Sequence, residues 1–491
     1  MKTKPQLSKS LFMHGVQCLK SLYLHAYQKK DMDERSEHGQ YIIETGTKVG
    51  ELARQYFEDG FLIGESYFEH DLAVMRTAEK IKDRSARHIF EAAFTFDNIR
   101  TRVDVLRINS DGTVDLIEVK SSTQPKREHI PDLAIQAHVV KGLGYDVRTC
   151  SLMHLNPDYV YPGGGYDLKA LFAISDVTEE VEKKMAEVPH LIGRMKKVLS
   201  EDTTPAIPIG PQCKNPHKCD FYGFCRIGLP EGHITMLPRI SDKKLSLLRQ
   251  KGIERISDIP VDFDLTPIQA RIRDAVASGK IFKSSEISDL LSTLEFPLYF
   301  MDFETCNPAL PIFPGSRPWQ QIPFQLSVHR MDKSGKLDHR EFLIEGMEDP
   351  RKEFVTTLLD TVRGEGTIVV YFEKFEKGIL SSLAEHFPDF SVEIQNLNAR
   401  IFDLYRLVCD HLYHPDFNGS FSIKKVLPAL VPTLTYDGME IAEGTGALLA
   451  YLKLRDPTIN STEKQALRKN LREYCKLDTL AMVEIYRALL E

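Results

Sequence analysis

Residues 100–120 read RTRVDVLRINSDGTVDLIEVK. Two β-branched, apolar-rich runs, 100–108 and 113–120, flank Asn109-Ser110-Asp111-Gly112, a cluster of turn-forming residues. The spacing predicts a β-hairpin. Centred on Asp111, it pairs residues whose numbers sum to 222, so Asp104 meets Glu118. Their Cβ atoms would lie ~4.5–5.5 Å apart. Side chains alternate along a strand, so Glu118 and Lys120 share a face. Two carboxylates so placed repel unless a cation sits between them, and Mg²⁺ favours carboxylates, waters and phosphate oxygens. Lys120 could then orient or help deprotonate an attacking water. A two-residue turn would shift the register by one and turn Asp104 to the other face. The pairing therefore requires an odd loop or a bulge. The alternative is an edge hairpin with its charges in water. Against it, Glu118 ends an apolar run, 114–119, and a buried charge needs partners.

Outward from the hairpin, the chain of 491 residues allows two to four domains. A hydrophobic fraction of 42% with 27% charged residues excludes a disordered or fibrous protein. No apolar run reaches the ~18–20 residues of a membrane span, and the N-terminus lacks a secretory apolar core. The expectation is a cytoplasmic protein without membrane contact. The net charge of -7 argues against nucleic acid only weakly, since metal-binding carboxylates add to it. The basic segments Lys29-Lys30, Lys126-Arg127, 194–197 and Lys243-Lys244 read as solvated faces or as a binding track. Residues 1–228 read as mixed α/β, with helices over 47–57, 72–81, 131–143 and 178–199 and a further strand over 147–156. Residues 229–292 read as a helical connector. Within it, 247–253, followed by Ile256 and Ile259, is similar to one helix-hairpin-helix unit, with Glu254 in place of the usual second Gly. A plain linker is the other reading. Residues 293–491 restart the α/β pattern, with strands over 298–303, 324–331, 340–344 and 367–372 and helices over 353–362 and from 374 onward.

Arg102-Val103-Asp104, then Leu116-Ile117-Glu118-Val119-Lys120, then Gln136 on the next helix resemble the PD-(D/E)xK nucleases of the RecB-like superfamily. The resemblance implies a restriction-endonuclease-like core. In it Asp104 and Glu118 bind a metal, Lys120 assists the water, and Gln136 contacts substrate or supports the site. Gly50 stands where that family often has a His, with Glu51 or Glu91 as further carboxylates, and Val140 stands at its Tyr.

Eight cysteines are too few for a disulfide scaffold of this size. Three of them cluster as Cys213, Cys219 and Cys225, and Cys18 lies far upstream. This arrangement resembles the iron–sulfur nucleases of the RecB-like group, including the CRISPR-associated four-cysteine exonucleases. It implies a [4Fe–4S] cluster on Cys18, Cys213, Cys219 and Cys225, stapling the two ends of the domain. Zinc on Cys213, His217, Cys219 and Cys225 is an alternative, as are unligated thiols. Cys150, Cys306, Cys409 and Cys475 read as ordinary thiols.

Leu298-Tyr299-Phe300-Met301-Asp302-Phe303-Glu304-Thr305 is an apolar strand ending in two carboxylates on one face. Tyr474 and Asp478 lie one helical turn apart. Phe375-Glu376 opens a helix after the strand 369–372. The set resembles the DEDDy 3′–5′ exonucleases. It implies an RNase H-like mixed sheet flanked by helices, with Asp302, Glu304, Glu376 and Asp478 holding two Mg²⁺ or Mn²⁺ ions and Tyr474 contacting the attacking water. The segments 402–404 and 420–424 resemble parts between its motifs. The combined expectation is a fusion of two nucleases, most simply a DNA exonuclease of repair or foreign-DNA processing. An RNA-processing exoribonuclease, or a nucleic-acid-binding scaffold with one or both sites inactive, is the alternative.

Overall fold

The structure, a computed structural model, describes residues 5–83 and 86–491. Met1 to Lys4, part of the stretch read for a secretory leader, lie outside the described residues. The chain divides into two compact units, Met1–Gly228 with Pro308–Trp319, and Leu229–Asn307 with Gln320–Glu491. Each is mixed α/β. Among the described residues, no helix is long and apolar enough to cross a membrane.

In the first unit, β1 (Leu7–Ser8), β2 (Gly60–Leu62), β3 (His88–Phe96), β4 (Ile99–Ile108), β5 (Val114–Lys120), β6 (Val147–Leu155) and β7 (Phe172–Asp176) form one sheet. Its order is β2-β3-β4-β5-β6-β7, and β1 joins it by pairing parallel with β4. The hairpin β4–β5 has the register its turn predicts: Val105 faces Ile117, Leu106 faces Leu116 and Ile108 faces Val114. Asn109 and Thr113 close the loop, with Asn109 N–H donating to the Thr113 carbonyl and Gly112 N–H to the Asn109 carbonyl. The odd loop length keeps Asp104 and Glu118 on one side.

Five helices set the surroundings of this sheet: α1 (Lys9–Gln17), α2 (Leu19–Tyr27), α3 (Glu37–Tyr56), α4 (His70–Asp83) and α5 (Ile130–Gly142). Helix α5 is apolar nearly all round and almost wholly buried, as a helix enclosed by neighbours must be. Leu133, Ala134 and Ala137 share a core with Val114 and Leu116 of β5 and with Phe12 and Leu22 of the N-terminal helices. The opposite face, with Val105 and Ile117, packs on Val49, Ala53 and Phe57.

The helix expected over 178–199 is two, Thr178–Met185 and Val188–Ser200. Pro189 opens the second helix, where its missing N–H does no harm, and it cannot continue the first. Strand β3 escapes the sequence pattern. Glu91 has φ 56 and, with Asp104 opposite it, drops out of the pairing between Phe90↔Val105 and Ala92↔Val103, while the register is the same on either side.

In the second unit, β8 (Phe282–Lys283) and β14 (Leu412–Tyr413) pair as a short ribbon. The main sheet has the order β11-β10-β9-β12-β13, from β9 (Leu298–Cys306), β10 (Ile322–Met331), β11 (Leu337–Leu343), β12 (Ile368–Val370) and β13 (Ile401–Asp403). Strand β10 runs antiparallel to β9 and β11, whereas β12 runs parallel to β9 and β13. The helix Ser461–Leu490 covers the sheet with Tyr474, Cys475, Asp478 and Thr479 buried.

The stretch 229–292 belongs to this unit. Its helix Asp242–Gln250 ends in a turn where Gly252 has φ +70, and Ile253 N–H bonds the Leu248 carbonyl. A second helix does not follow at once. The chain makes only a 3₁₀ turn at Ile256–Asp258, so a paired hairpin of helices is not formed there. A Cβ on Gly252 meets nothing within 4 Å, which leaves backbone conformation as the whole penalty. Gly252→Ala is expected to cost about 1 kcal/mol, and Gly252→Asn roughly half of that. Urea unfolding of both variants checks the order.

Candidate active sites and a four-cysteine pocket

Asp104, Glu118, Lys120 and Gln136 converge at one end of the first sheet. Glu118 is 2% exposed. Its carboxylate accepts from Lys120 Nζ at 2.7 Å, Gln136 Nε2 at 2.7 Å and Lys9 Nζ at 3.1 Å. Asp104 Oδ2 accepts from the Val119 N–H at 2.8 Å. Two residues not singled out from the sequence complete the group, Asp132 and Lys9. Asp132 lies one turn before Gln136 on the same face of α5 and takes Lys120 Nζ at 2.7 Å and Gln136 Nε2 at 3.1 Å. Lys9 opens α1 and is brought in because β1 pairs with β4; its Nζ lies 3.3 Å from Asp132. The i,i+4 spacing of Asp132 and Gln136 was a usable signal. Nothing in the local pattern marks Lys9.

The three carboxylates respond differently to one environment. Burial, then Asp104 and Asp132, push the Glu118 carboxyl up to about 7 against the pull of Lys120 and Lys9. Burial raises Asp104 too, and Glu91 on the neighbouring strand adds to it, while Lys9 and Lys120 oppose. At Asp132 burial is overcome by Lys9 and Lys120, which hold it well below the usual carboxylate range. Burial disfavours both ammonium groups, but the carboxylates outweigh it and keep them firmly charged. Gly50 has open space around it, so no side chain reaches in from that position of α3.

Cys18, Cys213, Cys219 and Cys225 line one small pocket, together with Leu24, Ile209 and Phe221. Cys18 stands in extended conformation at the junction of α1 and α2. The other three sit in a loop folded on itself, with Cys219 N–H bonding the Cys213 carbonyl and Cys225 N–H the Phe221 carbonyl. All eight cysteines are free. Burial, and then the neighbouring thiols, raise Cys213, so thiolates here would require a cationic partner. A single zinc ion with Zn–S bonds of ~2.3 Å draws its thiolates to ~3.8 Å of one another. Among the described residues, the three-ligand groups within 4.8 Å of one another are His14, His25, Asp220 and Asp302, Glu304, Cys475, not these thiols. Four thiols around one pocket are the donor set that an iron–sulfur cluster uses.

In the second unit, Asp302 and Glu304 face Ser327 and Gln325 across β9 and β10 and point to one side. Glu304, Glu376, Tyr474 and Asp478 are buried, and Asp302 is partly so. Burial raises all four carboxyls. Asp302 is raised further by Asp478, Glu304 and Glu376, so the four form one electrostatic group. Glu304 and Glu376 reach about 8, and Asp478 about 6. Glu376 Oε2 has no hydrogen-bond partner. Phe372, at φ 95, precedes the helix Glu373–His386 that carries Glu376, and its N–H is held by Asp403 at 3.2 Å. Lys424 Nζ donates to the Tyr474 hydroxyl at 3.0 Å, and the Tyr436 hydroxyl donates to Asp478 at 2.5 Å. Lys424, Tyr436 and Cys475 also belong to the site. Tyr436 lies in irregular chain, where periodicity gives no cue.

The residues fit divalent ions on their chemistry: hard oxygen donors, buried, mutually repelling, with an orphaned oxygen among them. A buried carboxylate cluster beside a tyrosine makes this a candidate divalent-metal site. The model of a domain of unknown function, DUF2779, matches residues 299–422, a stretch that takes in Asp302, Glu304 and Glu376 and ends before Tyr474 and Asp478. The chain is similar to the uncharacterized protein UU173 of Ureaplasma parvum, 25% identical over 49% of this chain and 38% of the relative. It is also similar to the uncharacterized MG366 homolog of Mycoplasma pneumoniae, 27% identical over 43% of this chain and 34% of the relative. The chain therefore matches well under half the length of these relatives.

Proposed function

We propose that the protein is a metal-dependent nuclease with two hydrolytic centres, a DEDDy-type exonuclease centre in the second unit and a PD-(D/E)xK centre in the first. The observation that carries this reading is the convergence of Asp302, Glu304, Glu376 and Asp478, buried carboxyls whose ionised forms a divalent cation would stabilise. The mixed sheet β11-β10-β9-β12-β13 with its covering helices supports the RNase H-like reading, and the β4–β5 register supports the PD-(D/E)xK one. Bound divalent ions would supply an activated water and a stabilised leaving oxygen. The chain's own groups do the rest. Lys424 donates into the Tyr474 hydroxyl and so aims its O–H, and Tyr436 fixes Asp478. In the first unit Gln136 locks Glu118 and Asp132 in place. The four cysteines are proposed to hold a [4Fe–4S] cluster.

A second reading, in which the first centre is silent, is favoured by Lys9. With Lys120 it sets two ammonium groups against three carboxylates where a cation would otherwise be needed. The test incubates the full-length, anaerobically purified protein with end-labelled single- and double-stranded DNA and RNA, with Mg²⁺, Mn²⁺ or a chelator. Stepwise shortening of DNA from its 3′ end, dependent on the metal, is expected. No cleavage of either polymer overturns the nuclease reading and leaves the scaffold. Faster turnover of RNA in competition reassigns the substrate.

A further inference from the structure

Helices α1 and α2 do more than deliver Cys18. His14 lies four residues before it, and His25 near the end of α2. Their imidazole rings stack with centroids 3.5 Å apart and 20° between planes. Asp220 follows Cys219 directly, and its Oδ2 lies 3.3 Å from His25 Nε2. One ring nitrogen from each histidine and one Asp220 oxygen all lie within 4.8 Å of one another. His25 is 6% exposed, and its Nε2 makes no hydrogen bond despite facing Asp220. A buried ring nitrogen that meets a carboxylate at 3.3 Å without a well-directed hydrogen bond is the arrangement a shared metal ion would resolve. His217 is also close enough to act electrostatically on His14.

We propose that His14, His25 and Asp220 form a second metal site, for a zinc-like divalent ion, distinct from the four-cysteine pocket. Two borderline imidazoles with one hard carboxylate are a mixed donor set that suits Zn²⁺, and a fourth position is left for water or His217. The site ties the same two segments as the cysteines do, the N-terminal helix pair and the loop 213–225. Zn²⁺ has no redox chemistry, so this tie would persist when an iron–sulfur cluster is oxidised or lost. Asp33 braces the loop from α2's side, its N–H bonding the Asp220 carbonyl at 2.7 Å and its carboxylate accepting from Gly223 N–H at 2.7 Å.

The inference does not depend on nuclease activity. Full-length protein is loaded with Co²⁺ as a probe for Zn²⁺, in wild type and in Cys219→Ser, and bound zinc is counted separately by elemental analysis. The expected result is a visible cobalt spectrum without near-ultraviolet thiolate-to-cobalt bands, retained in Cys219→Ser. His25→Gln should lose that spectrum and one equivalent of zinc. Because His25 is buried and its variant could misfold, Asp220→Asn is the second test. The Asp220 side chain is 40% exposed, and its variant should keep wild-type iron content and weaken zinc binding about tenfold or more. Thiolate-to-cobalt bands that vanish in Cys219→Ser would place the ion on the cysteines and overturn the proposal. So would unchanged zinc affinity in Asp220→Asn, or no zinc bound by wild type.

Discussion

Asp302→Asn is expected to lower Mg²⁺-dependent exonuclease activity by about 10²–10³-fold, the scale of removing one preorganised electrostatic group from a catalytic site. Asparagine keeps the shape of the side chain on β9 and withdraws its charge. In the metal-free protein that charge is a liability. Asp302 is raised by burial and by Asp478, Glu304 and Glu376, and Glu304 and Glu376 stand at about 8. Acids raised above their unfolded values bind more protons in the native state. Stability without metal therefore falls as pH climbs from about 4.5, where the unfolded carboxylates titrate, through 8. Divalent ions reverse this by favouring the ionised forms, so Mg²⁺ should raise the Tm more at pH 8 than at pH 6. Asp302→Asn should lose the activity and most of the Mg²⁺-induced shift, with a Tm in chelator no lower than wild type. Kinetics on a 3′-labelled strand and paired thermal melts check both halves. A variant that melts early in chelator would show that Asp302 is structural.

What the sequence discloses about these sites follows from how local each contact is. The hairpin 100–120 carries its own ruler: a turn centred on Asp111 sets the register, and the pairs Val105↔Ile117 and Leu106↔Leu116 follow from it. Asp302 and Glu304 are likewise legible, because alternation on a strand puts them on one face. Asp132 was within reach, since α5 places it one turn from Gln136, but an acid among apolar residues is also what an ordinary helix start looks like. Lys9 was not legible. It arrives through a two-residue strand, Leu7–Ser8, paired with Ile99 and Arg100, and so short a strand has no period to read. Strand β3 is interrupted at Glu91, a charged residue at φ 56 set opposite Asp104 within an otherwise apolar run. The gathering of Cys18 with Cys213, Cys219 and Cys225 came from a family resemblance, because nothing local links a helix junction to a loop some two hundred residues away.

Lys9→Ala should separate a structural cation from a catalytic one in the first centre. In wild type, Lys9 and Lys120 share Glu118 and Asp132, with Lys9 at 3.1 and 3.3 Å and Lys120 at 2.7 Å from each. Removing one partner of a buried ion cluster costs roughly 3–5 kcal/mol when nothing compensates. The two lysine side chains are 23% and 25% exposed, so water recovers part of this, and about 2–3 kcal/mol is expected. The loss depends on pH through Glu118, which titrates at about 7 with both lysines present. Without Lys9 its carboxyl rises further. Below pH 6 Glu118 takes up a proton and its share of the loss disappears, leaving the share owed to Asp132, which stays ionised there. Above pH 8 it is ionised against Asp104 and Asp132 with Lys120 alone, and the full penalty appears. Mg²⁺ should then rescue Lys9→Ala more than wild type, because the ion takes over the charge that Lys9 supplied. Lys120→Ala should carry a similar stability loss at pH 8, but its first-centre cleavage, measured in the Asp302→Asn background, should stay at least about 10²-fold low even with saturating Mg²⁺, as expected for a group acting on the water. Urea titrations at pH 6 and 8 with and without Mg²⁺ give the first comparison. If Lys9→Ala shows no pH-dependent deficit, Lys9 is not the counter-charge of this site. Equal recovery of cleavage by both variants in Mg²⁺ would leave Lys120 with no role in the chemistry.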